Sequence, residues 1–159
     1  MLVELTSASS HSHAAAPQLH AGLISFAIVQ LGLGAFMAIA PHAFFETVGP
    51  FGAANDHYVR DMSTCYLAIG IGLAASLRYA SWRAPMLGVS TVQFALHSVN
   101  HLIDIGHAHP AFVGYVDFAA LTVATVQLAQ LWRLAARAEA RAGAQVLAPL
   151  APTPERSTS

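Results

Sequence analysis

The chain has 159 residues, of which 55% are hydrophobic and only 9% are Asp, Glu, Lys or Arg, against about 25% charged residues in ordinary globular domains. There is no Lys, and seven Arg against eight acids leave a net charge of -1 with His neutral. So thin a charged skin excludes a dispersed water-soluble globule, the apolar content excludes a disordered chain, the charge balance excludes a nucleic-acid binder, and the lone Cys65 excludes an internal disulfide or a CxxC pair.

What remains is a membrane protein of single-domain length. Residues 1–20 are rich in Ser, Ala and His and read as a loose N-terminal segment. His11, His13 and His20 belong to that solvated stretch, although three imidazoles could also hold a metal loosely. Residues 21–40 are the first apolar run, with Ser25 and Gln30 as its clearly polar members. Ala38-Ile39-Ala40 has the look of a signal-peptidase site. No positive charge precedes the run, however, and Pro41 would follow the cut, so the helix is expected to be retained.

The link 41–57 opens with Pro41, continues as a short amphipathic piece (His42 to Val48), and turns at Gly49-Pro50. His42 and Glu46 share a face there and read as an interfacial polar pair that could join a cluster nearby. The second run, 58–77, is charged only at its entrance by Arg60 and Asp61; Cys65 inside it reads as a small core residue. The third, 84–103, has no formal charge but carries His97, Asn100 and His101, and the fourth, 111–132, carries Asp117. Twenty helical residues rise about 30 Å, the thickness of a bilayer's hydrocarbon core. The runs are continuous rather than alternating, so a membrane barrel is not indicated. The expected fold is all-α, an antiparallel bundle of four transmembrane helices.

Arg78 and Arg83 flank the link between the second and third runs, and Arg133, Arg137 and Arg141 follow the fourth; only Arg60 lies at the other end. The positive-inside rule then places both termini in the cytoplasm. Tyr79, Trp82 and Trp132 fall at an inner aromatic belt, and Phe44, Phe45, Phe51, Tyr58, Phe112 and Tyr115 at an outer one. Residues 21–133 form the membrane domain. Residues 134–159 continue as a helical extension with Arg133, Arg137 and Arg141 on one face toward lipid headgroups, then a Pro-rich disordered tail from Ala148. Ala68, Gly72 and Ser76, Gly34 with Ala38, and Ala120 with Ala124 offer small faces for close helix approach. Gln30 and Gln93 fall mid-span and are expected to face inward, where a direct bond between them is conceivable.

The ionisable groups gather at the outer end. Ser90, Gln93, His97, Asn100, His101 and Asp104 stand at offsets of 0, 3, 7, 10, 11 and 14, which is one helical face. Such a stripe must face protein or a watery cavity, since lipid would leave it unpaired. His97 and Asp117 lie at similar depth, about 10 Å from the outer ends of their helices, so they can meet across the short link. His57, Arg60 and Asp61 open the second span at that same end. The expected polar pocket is therefore His57, Arg60, Asp61, His97, Asn100, His101, Asp104 and Asp117.

On Pro41-His42-Ala43-Phe44-Phe45, on Asn55-Asp56-His57-Tyr58-Val59-Arg60-Asp61, and on the i,i+4 pair His97 and His101, the chain resembles a group of small uncharacterised bacterial four-helix integral membrane proteins, loosely DoxX-like in build. The resemblance covers roughly residues 20–132. It implies a four-helix bundle in the bacterial inner membrane and no assigned reaction, so no catalytic role is carried over. Residues 100–104 and the histidines at 107 and 109 depart from the group's pattern.

Several readings of the cluster stand side by side. Arg60 with Asp61, or with Asp117, can be a structural ion pair that sets register. His97, His101 and Asp117 can be ligands of a transition metal, although no cofactor is required by the sequence. Haem lacks facing axial partners, since His97 is the one deep histidine. A His beside a carboxylate can act as general acid–base in a membrane-embedded enzyme or redox protein acting on a lipid-like substrate, with Arg60 holding an anionic or carbonyl group. The main expectation is non-catalytic: an integral membrane binding or accessory protein in the bilayer, with a membrane-protein partner or a second copy as companion. An accessory role predicts a polar cluster saturated by internal bonds. An enzyme predicts an open pocket beside His97.

Overall fold

The computed structural model describes the backbone of residues 2–147 and the side chains of residues 16–145. The regular structure of the described residues is all helical: α1 (Leu2–Ile39), α2 (Pro41–Thr47), α3 (Asp56–Arg78), a 3-10 turn (Ala80–Trp82), α4 (Arg83–Ile103) and α5 (Phe112–Leu147). No strand occurs among them beyond one isolated bridge, Phe51 with Ala108.

Local chemistry sets the helix ends. Pro41 begins α2, where its missing N–H is not needed. The Asn55 side chain caps α3 by accepting from the Tyr58 backbone N–H at 3.0 Å, and Asp56 adds negative charge to the first turn. At the far end of α3, the Arg83 Nε–H donates to the Ser76 carbonyl at 3.0 Å and ties the start of α4 to it.

Each of the four apolar runs coincides with part of one long helix, to within one residue at its ends. Two segments, Ala16–Ile39 of α1 and Phe112–Gln145 of α5, are long and apolar enough to cross a membrane. Both helices exceed their expected spans. α1 has helical backbone from Leu2, so the segment expected to be loose continues the helix, in keeping with the Ala-rich stretch at 14–16. α5 continues to Leu147 and carries Arg133, Arg137 and Arg141, all exposed. The expected Pro-rich tail from Ala148 lies outside the described residues.

Neighbouring helices run antiparallel. Leu31 and Gly34 of α1 oppose Gly70 and Leu67 of α3, Gly72 of α3 opposes Met86 of α4, and Gly88 of α4 opposes Trp132 of α5. A bond between Ser98 and Thr122 at 2.8 Å joins α4 to α5. The buried apolar cluster draws Leu19, Leu23 and Ala27 from α1, Leu73 from α3, Ala84, Leu87 and Phe94 from α4, and Leu128 and Ala135 from α5. Phe26 meets Phe94 edge-on with centroids 6.1 Å apart. Apart from Phe94, all of these lie toward the Tyr79–Trp82 end. The opposite end, where α2 and the 48–55 loop sit, is not packed solid.

Candidate functional site

At that loosely packed end the helices enclose a cavity of about 420 Å³, within the range of about 300–1,000 Å³ usual for small-molecule sites. α1 contributes Leu33 and Met37, and α2 contributes Phe44 and Phe45. Val48, Gly49, Phe51, Ala53 and Asn55 come from the following loop. Tyr58, Val59, Met62 and Tyr66 come from α3, His97, Asn100 and His101 from α4, and Asp117, Ala120 and Leu121 from α5. The wall is thus mainly aromatic and aliphatic, with polar groups concentrated on the side formed by α4 and α5.

The α4 helix presents this polar side because its period leaves it no other face. Val89, Val92, Leu96, Val99 and Ile103 recur at spacings of three and four and are exposed, with Leu96 at 67%. The polar stripe is the opposite face. Ser90 on it is buried and donates back to the Met86 carbonyl at 2.7 Å. Farther along, His97 and His101 meet edge-on with centroids 4.7 Å apart, and Phe51 meets His101 at 4.9 Å. Phe51 is held there by the link between the two loops at this end of the helices. It bridges Ala108, and the His109 backbone N–H donates to the Pro50 carbonyl at 3.1 Å. The Nδ1 of His101 is buried without a hydrogen-bond partner.

The structure brings together four of the eight expected pocket residues: His97, Asn100, His101 and Asp117 all line the cavity. The other four do not join them. His57 pairs with Asp61 at 3.4 Å on an exposed face, and Asp104 pairs with His107 at 3.3 Å. Arg60 is exposed and has no carboxylate partner among the described residues, so neither expected Arg60 ion pair forms. Adjacent residues on a helix do not face each other, which separates Arg60 from Asp61. His97 and Asp117 share the cavity wall without a bond between them. His42 reaches Glu46 at 3.5 Å and Asp56 at 3.4 Å, linking α2 to the start of α3 on the surface rather than in the cavity.

Among the described residues, no three His, Cys, Asp or Glu side chains converge as a metal shell, and His97, His101 and Asp117 are not such a set. Gln30 is fully buried as expected, but neither of its amide atoms has a partner, so the bond to Gln93 does not form.

Part of the expected outer aromatic belt belongs to the cavity instead. Phe44, Phe45 and Phe51 are part-buried in its wall, and Tyr58 stands on it at 62% exposure, whereas Phe112 and Tyr115 are exposed outside. Tyr66, Met62 and Met37 are wall residues that the sequence reading did not single out. A signal for two of them was available: Tyr58, Met62 and Tyr66 recur every four residues on one face of α3.

Comparison of the chain with protein-family models, with curated proteins and with solved structures returns no match. The site is an amphipathic chamber with imidazole, amide and carboxylate groups on one wall and aromatic rings on the other.

Proposed function

We propose that this chain is a small multi-pass protein of the bacterial inner membrane that binds a small, largely apolar molecule in the cavity at the extracytoplasmic end of a four-helix bundle, with both termini in the cytoplasm. The observation that carries the binding reading is the cavity itself, with the unpartnered Nδ1 of His101 behind its polar wall. A purely structural cluster would close on itself through internal bonds. A half-polar chamber of this volume is what a small ligand fills.

Membrane insertion rests on the exposed surface. Apart from α1 and α5, the helices present Ile71, Val89, Val92, Leu96 and Val99 outward, each more than half exposed. Patches of that kind are not left to water. Exposed Tyr79, Trp82 and Trp132 stand at one end and exposed Tyr58, Phe112 and Tyr115 at the other, as two interfacial belts would. Arg78, Arg83, Arg133, Arg137 and Arg141 gather at the first end, which supports its cytoplasmic assignment. The DoxX-like resemblance is in keeping with this build.

The test is native mass spectrometry of the protein extracted with its own lipids. A one-to-one small-molecule adduct is expected for the wild type and is lost in Ala120→Trp, which fills the cavity one turn from Asp117. No adduct in the wild type, or one that survives Ala120→Trp, overturns the proposal.

A further inference from the structure

We propose that the molecule this cavity takes is a lipophilic amine in its protonated form, with Asp117 as its counter-ion. The inference rests on the binding reading above and names the chemistry of the ligand.

Asp117 is the one Asp, Glu, Arg or Lys residue on the wall. It takes part in none of the ion pairs or side-chain hydrogen bonds among the described residues. Among the described residues no Arg is placed to neutralise it there, and the sequence has no Lys: Arg60, the described arginine at this end, is exposed and off the wall. A part-buried carboxylate on the wall of a largely apolar chamber is costly unless a partner supplies opposite charge or a proton neutralises it. The imidazoles are poor substitutes. Neither His97 nor His101 is ion-paired with Asp117 among the described residues.

The rest of the wall suits the same ligand. Phe44, Phe51, Tyr58 and Tyr66 place aromatic rings around the chamber, and ring faces attract ammonium groups. A carboxylate or phosphate ligand would meet Asp117 with like charge and find no guanidinium or ammonium on the wall. A neutral ligand would leave Asp117 unpaired.

The experiment uses the full-length protein in nanodiscs of zwitterionic lipid, with empty nanodiscs as the baseline. Three probes share one apolar body and differ only in head group: naphthylmethylamine, naphthylmethanol and naphthoate. Equilibrium dialysis at neutral pH is expected to rank the amine tightest, about tenfold ahead of the alcohol, with naphthoate weakest. Asp117→Asn is expected to bring the amine down to the level of the alcohol. The wild-type ranking stands whether or not the variant folds. Equal or tighter binding of the alcohol or of naphthoate to the wild type overturns the amine assignment and leaves the pocket intact, as does an amine preference that survives Asp117→Asn. If none of the three binds the wild type, the binding reading falls and this inference falls with it.

Discussion

Gly34 of α1 lies so close to Leu67 of α3 that a β-carbon on it would stand 3.0 Å from the Leu67 backbone nitrogen. The contact is reciprocal, because a β-carbon on Gly70 would stand 3.0 Å from the backbone nitrogen of Leu31. Each leucine fills the notch left by the other helix's glycine. The obstacle is backbone, which cannot swing away as a side-chain tip can. Gly34→Val or Gly70→Val should therefore cost about 1–3 kcal/mol, the usual penalty of overpacking. Gly32 has nothing within 4 Å of its missing β-carbon, so Gly32→Ala should cost nothing measurable. Unfolding by denaturing detergent, followed by circular dichroism, compares the three. Equal midpoints would show that α1 and α3 do not meet as described.

The bond between Ser98 and Thr122 makes an asymmetric prediction. Thr122 already gives its hydroxyl proton to the Phe118 carbonyl at 2.8 Å. A hydroxyl has one proton to give, so Ser98 donates and Thr122 accepts across the 2.8 Å contact. Ser98→Ala then removes the donor and strands nothing. Thr122→Val removes the acceptor and leaves the buried Ser98 hydroxyl without its partner. The serine change should cost about 0.6 kcal/mol or less, in line with interhelical bonds in membranes. The threonine change should cost about 1–2 kcal/mol. Detergent unfolding midpoints of the two variants check the order, and the reverse order would refute the donor assignment.

Gln30 should be a liability for stability. Its side chain is 0% exposed and neither amide atom has a partner. A buried amide without hydrogen bonds costs about 1–3 kcal/mol. Gln30→Met keeps the length and flexibility of the chain and removes both polar atoms. The expected outcome is a rise in thermal midpoint of the purified protein. A fall would mean that the amide is paired in the membrane, and would mark Gln30 as part of a polar path through the helices.

The long helices are legible in the sequence because their apolar runs are continuous and at least 20 residues each. The inward face of α4 is legible too, because Val89, Val92, Leu96 and Val99 repeat opposite Ser90, Gln93 and His97 with helical period. Which outer groups share a chamber is less so. At the start of α3, the row Tyr58, Met62 and Tyr66 faces the cavity, and the neighbouring row His57 and Asp61 pairs on the surface. The two rows differ by one residue, and hydrophobicity near a membrane surface does not tell them apart. Phe51 was beyond reach for another reason: its place against His101 depends on the bridge to Ala108, a contact between residues far apart in the chain. The close approach at Gly70 escaped the small-residue reading, which favoured Ala68, an exposed residue.

The orientation of the chain can be settled by labelling with a maleimide that does not cross membranes, and the structure decides which positions are informative. The link between α3 and α4 offers Ser81, which is exposed. In the link between α4 and α5, Ala108 is 0% exposed and would not react whatever its side, whereas His109 is exposed. Ser81→Cys and His109→Cys, each made after Cys65→Ala, are therefore the pair to compare. With α4 crossing the bilayer, the two positions lie on opposite sides. With the arginines of residues 78–83 and 133–141 inside, His109→Cys should react in intact cells from which the outer membrane has been stripped. Ser81→Cys should react only after permeabilisation. The native Cys65 adds an internal gauge of depth. It is exposed on α3 about 13 Å along the helix from Asp56, so in an inserted protein it faces acyl chains and stays unlabelled, and in a water-soluble one it reacts. Labelling of both loop positions in intact cells would mean that α4 does not cross. Reversal of the pair would put the cavity, and with it Asp117, on the cytoplasmic side.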